Sequence, residues 1–292
     1  MLPRYWTSTG WCGTSAPVSS MRHPQLKALE ALVPPPASPT AAGEDFARAE
    51  EELGTRLPTD WKSLVSRYGC GTFGDFFHLW SPFFAPCPMV SQACGALDAD
   101  RELSTAVPEA VPFPLHPDPQ GALPWGNTDN GDVAYWLKRG DPDRWPAAVW
   151  NPRGGSKYDL VEGGAAALLA TWLAGKHGGR LLRKDAPRCF DPWRERKHFT
   201  IELNGDSKPF AERLQLLVSA LSPVQMRGAF GSDEDEGRQV HFVCEDGAWK
   251  FTYDTLYGHN LRAAVPPHDV KAMQARVRKA VAAMGCRITK GS

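Results

Sequence analysis

Between Glu44 and Gly74 the chain reads EDFARAEEELGTRLPTDWKSLVSRYGCGTFG, and this stretch restricts the fold more than any other. Phe46, Ala49, Glu50 and Leu53 fall at i, i+3, i+4 and i+7, so they share one helical face. Gly54 ends that helix, because only glycine takes a left-handed cap without a Cβ penalty. Leu57-Pro58 starts a second helix, where the missing proline N–H forfeits no bond. Trp61, Leu64, Val65 and Tyr68 repeat the spacing, and Gly69 and Gly71 close the helix. Glu50 lies on the apolar stripe, and a carboxylate there needs partners. The favoured expectation is that it accepts hydrogen bonds at the Gly54–Trp61 corner and fixes the two helices. Contact with a partner molecule is the alternative.

The rest of the chain divides around this corner. Residues 1–20 have no periodicity and no uninterrupted apolar core of the kind a secretory signal needs, so they read as a disordered leader, with Met21 a plausible start. Gln25 to Leu32 is a short helix, followed by a Pro/Ala/Ser linker to Gly43. Phe73 to Trp80 reads as one buried strand, and Ser91 to Val107 as a helix. Leu123–Thr128 and Val133–Lys138 read as strands, and Asp129-Asn130-Gly131 between them as a hairpin turn. Ala147–Trp150 and Ser156–Val161 add strands, and Ala165–Leu173 a closing helix. Residues 176–197 read as a basic linker. A second unit over 198–292 reads as strand, helix, three strands, a short strand near Val265, a helix over Asp269–Met284 and an edge strand at Cys286–Ile288. The expected fold is therefore α+β in two domains, 21–175 and 198–292, each of ordinary domain size.

Composition sets the class. Apolar residues make up 42% and aromatics 10% of 292 residues, as in globular chains, and no run of apolar residues is long enough to span a membrane. Seven cysteines in a chain of this length argue against a disulfide scaffold and fit a reducing cytoplasm. The zero net charge divides into −6 over residues 1–175, +5 over 176–197 and +1 over 198–292. Such asymmetry bears on partners rather than on fold.

Motif by motif, chemistry finds little support. Gly69-x-Gly71-x-x-Gly74 has dinucleotide-binding spacing but follows a helix and opens a strand, the reverse of what a phosphate at a helix N-terminus needs. Cys70, His78, Cys87 and Cys94 are soft ligands without a CxxC or HxxxH pair, and buried small hydrophobes explain such cysteines better. The Asp129–Asp132 turn lacks the alternation of a calcium loop. No nucleophile elbow or metalloprotease motif is present, and His198, His241, His259 and His268 are scattered. The basic stretch Arg180, Arg183, Lys184, Arg188, Arg194, Arg196 and Lys197 lacks interleaved aromatics at stacking spacing, so it reads as a solvated linker and direct nucleic-acid binding is not expected. No catalytic residue, cofactor site or metal site is assigned. Of Trp125, Trp136, Trp145 and Trp150, most belong to a core, with one or two left for an interface.

Two ordered motifs resemble the SUKH superfamily. Its signature helix pair matches Ala49-Glu50, Leu53-Gly54, Leu57-Pro58 and Asp60-Trp61, followed by the Gly69–Gly74 turn. Its Gly-x-Thr-x-x-Gly-Asp turn matches Gly126, Thr128, Gly131 and Asp132, with Tyr135 and Trp136 after it. The resemblance covers about residues 21–175 and implies a central, mostly antiparallel sheet flanked by helices. It also implies a non-catalytic binding protein: an immunity protein against a cognate toxin first, a scaffold in cell-wall or signalling assembly second. An enzyme within residues 198–292 is a third reading. Toxins acting on nucleic acid carry basic clefts, so the expected inhibitory surface is acidic. It would comprise Asp129, Asp132, Asp141, Asp143 and Trp145, with Glu44, Asp45, Glu51 and Glu52 as a second cluster.

Overall fold

A computed structural model describes residues 23–43, 45–205, 208–231, 237–244 and 247–291. The leader at 1–20 and Glu44 lie outside these residues. The chain builds α1 (Pro24–Leu32), α2 (Phe46–Leu53), α3 (Thr59–Tyr68), β1 (Gly71–Phe73), β2 (Phe77–Leu79), α4 (Met89–Ala106), β3 (Ala122–Thr128), β4 (Val133–Leu137), β5 (Ala147–Trp150), β6 (Tyr158–Val161), α5 (Gly164–Leu173) and β7 (Phe190–Pro192). The second half builds β8 (Lys197–Asn204), α6 (Phe210–Leu221), β9 (Val224–Gly231), β10 (Arg238–Cys244), β11 (Trp249–Asp254), β12 (Asn260–Val265), α7 (Val270–Ala283) and β13 (Arg287–Gly291). The fold is α+β, with two antiparallel sheets.

The first sheet has seven strands in the order β6-β5-β4-β3-β2-β1-β7. Strand alternation sorts its residues onto two faces. Leu123, Trp125, Ala134, Trp136, Ala147 and Val149 join the helical layer in one core, while Ala122, Tyr135, Leu137, Ala148 and Trp150 form a smaller cluster on the other face. Helix α5 is apolar almost all round, which suits a helix enclosed between layers. It packs against α1 and α3, and most of its residues are buried.

Three expectations need correction. The stretch Phe73–Trp80 is a tight hairpin rather than one strand, since positive φ at Gly74 (59°) and Asp75 (48°) reverses the chain. The 176–197 segment is largely part of the first unit. Leu182 and Cys189 are buried, Arg188 Nε donates to Leu173 O at 3.1 Å, and β7 pairs with β1 as the sheet's edge. Phe190 supplies the reason: its ring meets Tyr68 at 5.2 Å and Phe73 at 4.6 Å, burying apolar area that a linker would leave in water. The cysteines are not all free. Cys70 and Cys87 form a disulfide across 17 positions, whereas Cys189, Cys244 and Cys286 are buried thiols and Cys94 is exposed.

The second sheet runs β13-β8-β12-β11-β10-β9. Phe199, Ile201, Val240, Phe242, Phe251, Tyr253 and Leu261 face a core shared with Leu217 and Leu221 of α6 and Met273, Val277 and Val281 of α7. Both helices therefore cover one face. The opposite face carries a polar row in which His241 contacts Thr252 at 2.9 Å and Gln239 at 3.0 Å, and Gln239 donates to Asp254 at 2.8 Å.

Asp191 of β7 joins the units. It receives Arg196 at 3.0 Å and Lys250 of β11 at 2.6 Å, and Arg196 also donates to Gly247 O at 2.7 Å and Ala248 O at 3.1 Å.

Candidate functional site

The helical corner is built as its residues dictate. Asp45 caps α2 by accepting from Arg48 N at 3.0 Å, and Gly54, at φ 63°, ends that helix. Glu50 accepts from Leu57 N at 2.7 Å and from the Lys62 ammonium, so its charge is spent on holding α2 against the start of α3. Leu53, Leu57, Pro58 and Trp61 are buried. Trp61 stands edge-on to Phe46 at 5.9 Å and to Trp136 at 5.6 Å, tying the corner to the sheet. Asp60, also buried, accepts from Ala166 N at 3.0 Å and so caps α5 across the core.

The second motif is equally structural. A Cβ on Gly126 would lie 2.7 Å from the Phe77 ring and 2.8 Å from His78 O, so only glycine lets β2 and β3 approach there. Gly131 turns the hairpin at φ 77°. Thr128 Oγ1 donates to Asp132 Oδ2 at 2.9 Å and accepts from Asp132 N at 3.2 Å, closing the loop on itself.

Two of the expected contact residues are therefore inaccessible. Asp132 is 1% exposed and Trp145 3% exposed, with the Trp145 indole N–H on Gly140 O at 3.2 Å. Trp125, Trp136 and Trp150 are buried too, so none of the four tryptophans in this segment serves an exposed edge. Asp129, Asp141 and Asp143 are exposed but do not make one surface. Asp129 contacts His78 at 2.6 Å beyond one end of β4. Asp141 and Asp143 lie beyond the other end, and β4 alone spans roughly 16 Å at about 3.3 Å per residue.

Asp141 and Asp143 have a different neighbour. Asp141 accepts from Asp143 N at 3.0 Å, and Asp143 accepts from Thr59 N at 2.7 Å, at the start of α3. Since Glu50 bonds the N–H of Leu57, the Pro142–Arg144 turn and the end of α2 flank the same corner. The exposed acids Glu51, Asp141 and Asp143 belong to the segments that meet at the Leu57–Thr59 corner, where Arg56 and Arg144 are exposed as well, while Glu52 is paired with Arg48 at 2.8 Å.

Residues 43–163 match the SUKH_6 family model, described as SMI1-KNR4 cell-wall. This segment is a SUKH domain. No curated protein and no solved structure matches the chain. The SUKH match spans α2 to β6 but stops short of α5 and β7, which complete the same helical layer and sheet.

Buried carboxylates give the SUKH domain a definite pH response. Burial raises the pKa of Asp100 and of Asp132 above the usual carboxylate range. A raised folded-state pKa means that the folded form holds its proton to higher pH, so the contribution to stability is present below about pH 4 and is lost as pH rises through the folded value. The Asp100→Asn/Asp132→Asn double variant is expected to flatten the stability decline above pH 4, measured by urea unfolding at a series of pH values. An unchanged slope would contradict this. Asp254 in the second sheet behaves oppositely. Burial opposes its charge, but hydrogen bonds from Tyr257 N, Gln239 and Leu256 N outweigh that and hold its pKa low.

A cleft lies between the two units, lined by Asp75, Asp129, Arg183, Arg227, Phe230, His241 and Lys250 among others. Sequence reasoning singled out Arg183 only as linker charge and did not connect these residues. They come from six separate segments, and no local spacing joins them. Among the described residues, no group of three or more His, Cys, Asp or Glu side chains is placed to hold a metal ion, and no helix is long and apolar enough to cross a membrane.

Proposed function

We propose that this chain acts by binding a partner protein, that the partner is a cognate toxin, and that binding alone neutralises it in the cytoplasm. The SUKH domain carries the reading, since this family points to protein–protein interaction. The family's signature residues are consumed in packing and capping, which leaves the outer surface for recognition. There the acidic border of the Leu57–Thr59 corner suits a basic partner, such as a toxin that acts on nucleic acid. The match's cell-wall description favours a second reading, an interaction module in envelope assembly.

Co-purification from the native host, followed by co-expression with the captured protein, separates the two. The first reading expects a captured protein that stops growth and loses its toxicity when co-expressed with this chain. A harmless captured protein that works in envelope synthesis would replace it with the second.

Charge should act on association. Reversal of Glu51 and Asp141 together, Glu51→Lys/Asp141→Lys, is expected to slow association with the partner roughly tenfold at low salt and to weaken its salt dependence, with dissociation little changed. Stopped-flow kinetics at several ionic strengths measure this, and identical association rates would remove the acidic corner from the interface.

A further inference from the structure

The cleft between the units has a volume of about 330 Å³, within the size range of small-molecule sites. Its walls are the helix-free face of β9–β11, the 183–187 segment and the tips of the β1–β2 and β3–β4 hairpins. The carboxylates around it are already engaged. Asp191 holds Lys250 and Arg196, Asp75 lies 3.5 Å from Lys250 Nζ, and Asp129 contacts His78.

Two arginines in the same cleft are not engaged in this way. Among the described residues, neither Arg183 nor Arg227 pairs with a carboxylate. Arg183 reaches only the Asp185 carbonyl, at 3.4 Å, and its guanidinium stands 5.8 Å from the centre of the Phe230 ring. Arg227 Nε is buried and has no hydrogen-bond partner. A desolvated guanidinium N–H without an acceptor is unfavourable and demands an explanation. In a cleft, an acceptor from outside the chain supplies one.

Phe230 and His241 give the cleft its second character. Phe230 is 46% exposed, an unusual position for a phenylalanine, and it meets His241 edge-on at 5.6 Å. Burial and the nearby Arg262 lower the pKa of His241, so near neutral pH it presents an uncharged ring.

We propose that this cleft binds a small organic oxyanion, a phosphate ester or a carboxylate, with the anionic group between Arg183 and Arg227 and a planar body against Phe230. Paired guanidinium groups match the geometry of either oxyanion, and the aromatic face supplies stacking. The site is distinct from the acidic corner assigned to partner binding, so the two assignments stand or fall separately.

Calorimetric titration of the full chain with adenosine monophosphate, inorganic phosphate and citrate tests it, alongside Arg183→Gln and Arg227→Gln. Saturable binding of one of these ligands, weakened roughly tenfold or more in both variants, supports the site. Adenosine monophosphate binding without citrate binding identifies a phosphate ester, and the converse a carboxylate. No saturable binding of any of the three up to about 1 mM overturns the proposal, as does binding that both folded variants retain unchanged. If Arg227→Gln fails to fold, Arg183→Gln decides by the same criterion, because its half-exposed side chain is not needed for the core.

Discussion

A chain ending at Gly175 is expected to lose the cooperative fold of its first unit, whereas one ending at Arg194 should keep it. The shorter chain lacks β7, which forms the edge of the first sheet by pairing Phe190, Asp191 and Pro192 with Phe73, Thr72 and Gly71. It also lacks Leu182, 2% exposed, and Phe190, whose ring completes the cluster with Tyr68 and Phe73. Fully burying a leucine contributes about 1.5–3 kcal/mol and the half-buried Phe190 adds a smaller share, so these two side chains account for roughly 2–4 kcal/mol. The Trp172 indole N–H would in addition lose its acceptor, Arg183 O at 2.8 Å. A domain's whole stability is about 5–15 kcal/mol, so the loss is a large share of it. Urea unfolding of the two truncated chains measures the difference. Equal midpoints would return 176–194 to the role of a linker.

Trp61→Ala should cost about 3–5 kcal/mol, the range for large-to-small changes in a closed core. Its ring is fully buried and edge-on to both Phe46 and Trp136, and Trp136 in turn stacks on Trp125 at 5.7 Å. The indole N–H of Trp61 has no hydrogen-bond partner. Trp61→Phe forfeits no hydrogen bond and should therefore cost clearly less than Trp61→Ala. Denaturant midpoints of the two variants test both statements. A well-folded Trp61→Ala protein that fails only in partner binding would place the side chain at the interface.

The corner was legible because its signals are local. Helical spacing, the Gly54 stop and the Pro58 start all act within a few residues, and the structure places α2 and α3 where they point. The α+β class was legible in the same way, from alternation and turn residues, whereas the antiparallel first sheet was expected from the SUKH resemblance. Strand β7 was not. It has three residues, one of them Pro192, and it sits in a stretch whose basic charge suggests solvent. Only Phe190 hinted otherwise, and its partners Tyr68 and Phe73 lie more than a hundred positions away. Trp145 and Asp132 were misplaced for a related reason. A hairpin turn reads as exposed, yet Asp132 is turned inward by Thr128 and Trp145 by the Gly140 carbonyl. The cleft was illegible because residue separation in sequence carries no trace of it. Arg183 and Arg227 stand 44 positions apart and belong to different units.

The proposed function is action by binding rather than by chemistry on the partner. Titrating a fixed amount of the captured toxin with the purified full chain, and reading the toxin's own activity, tests this most directly. Binding predicts a linear loss of activity that ends at one chain per toxin and returns when the complex is dissociated. Complete, lasting inactivation by far less than one equivalent would show turnover and contradict the account.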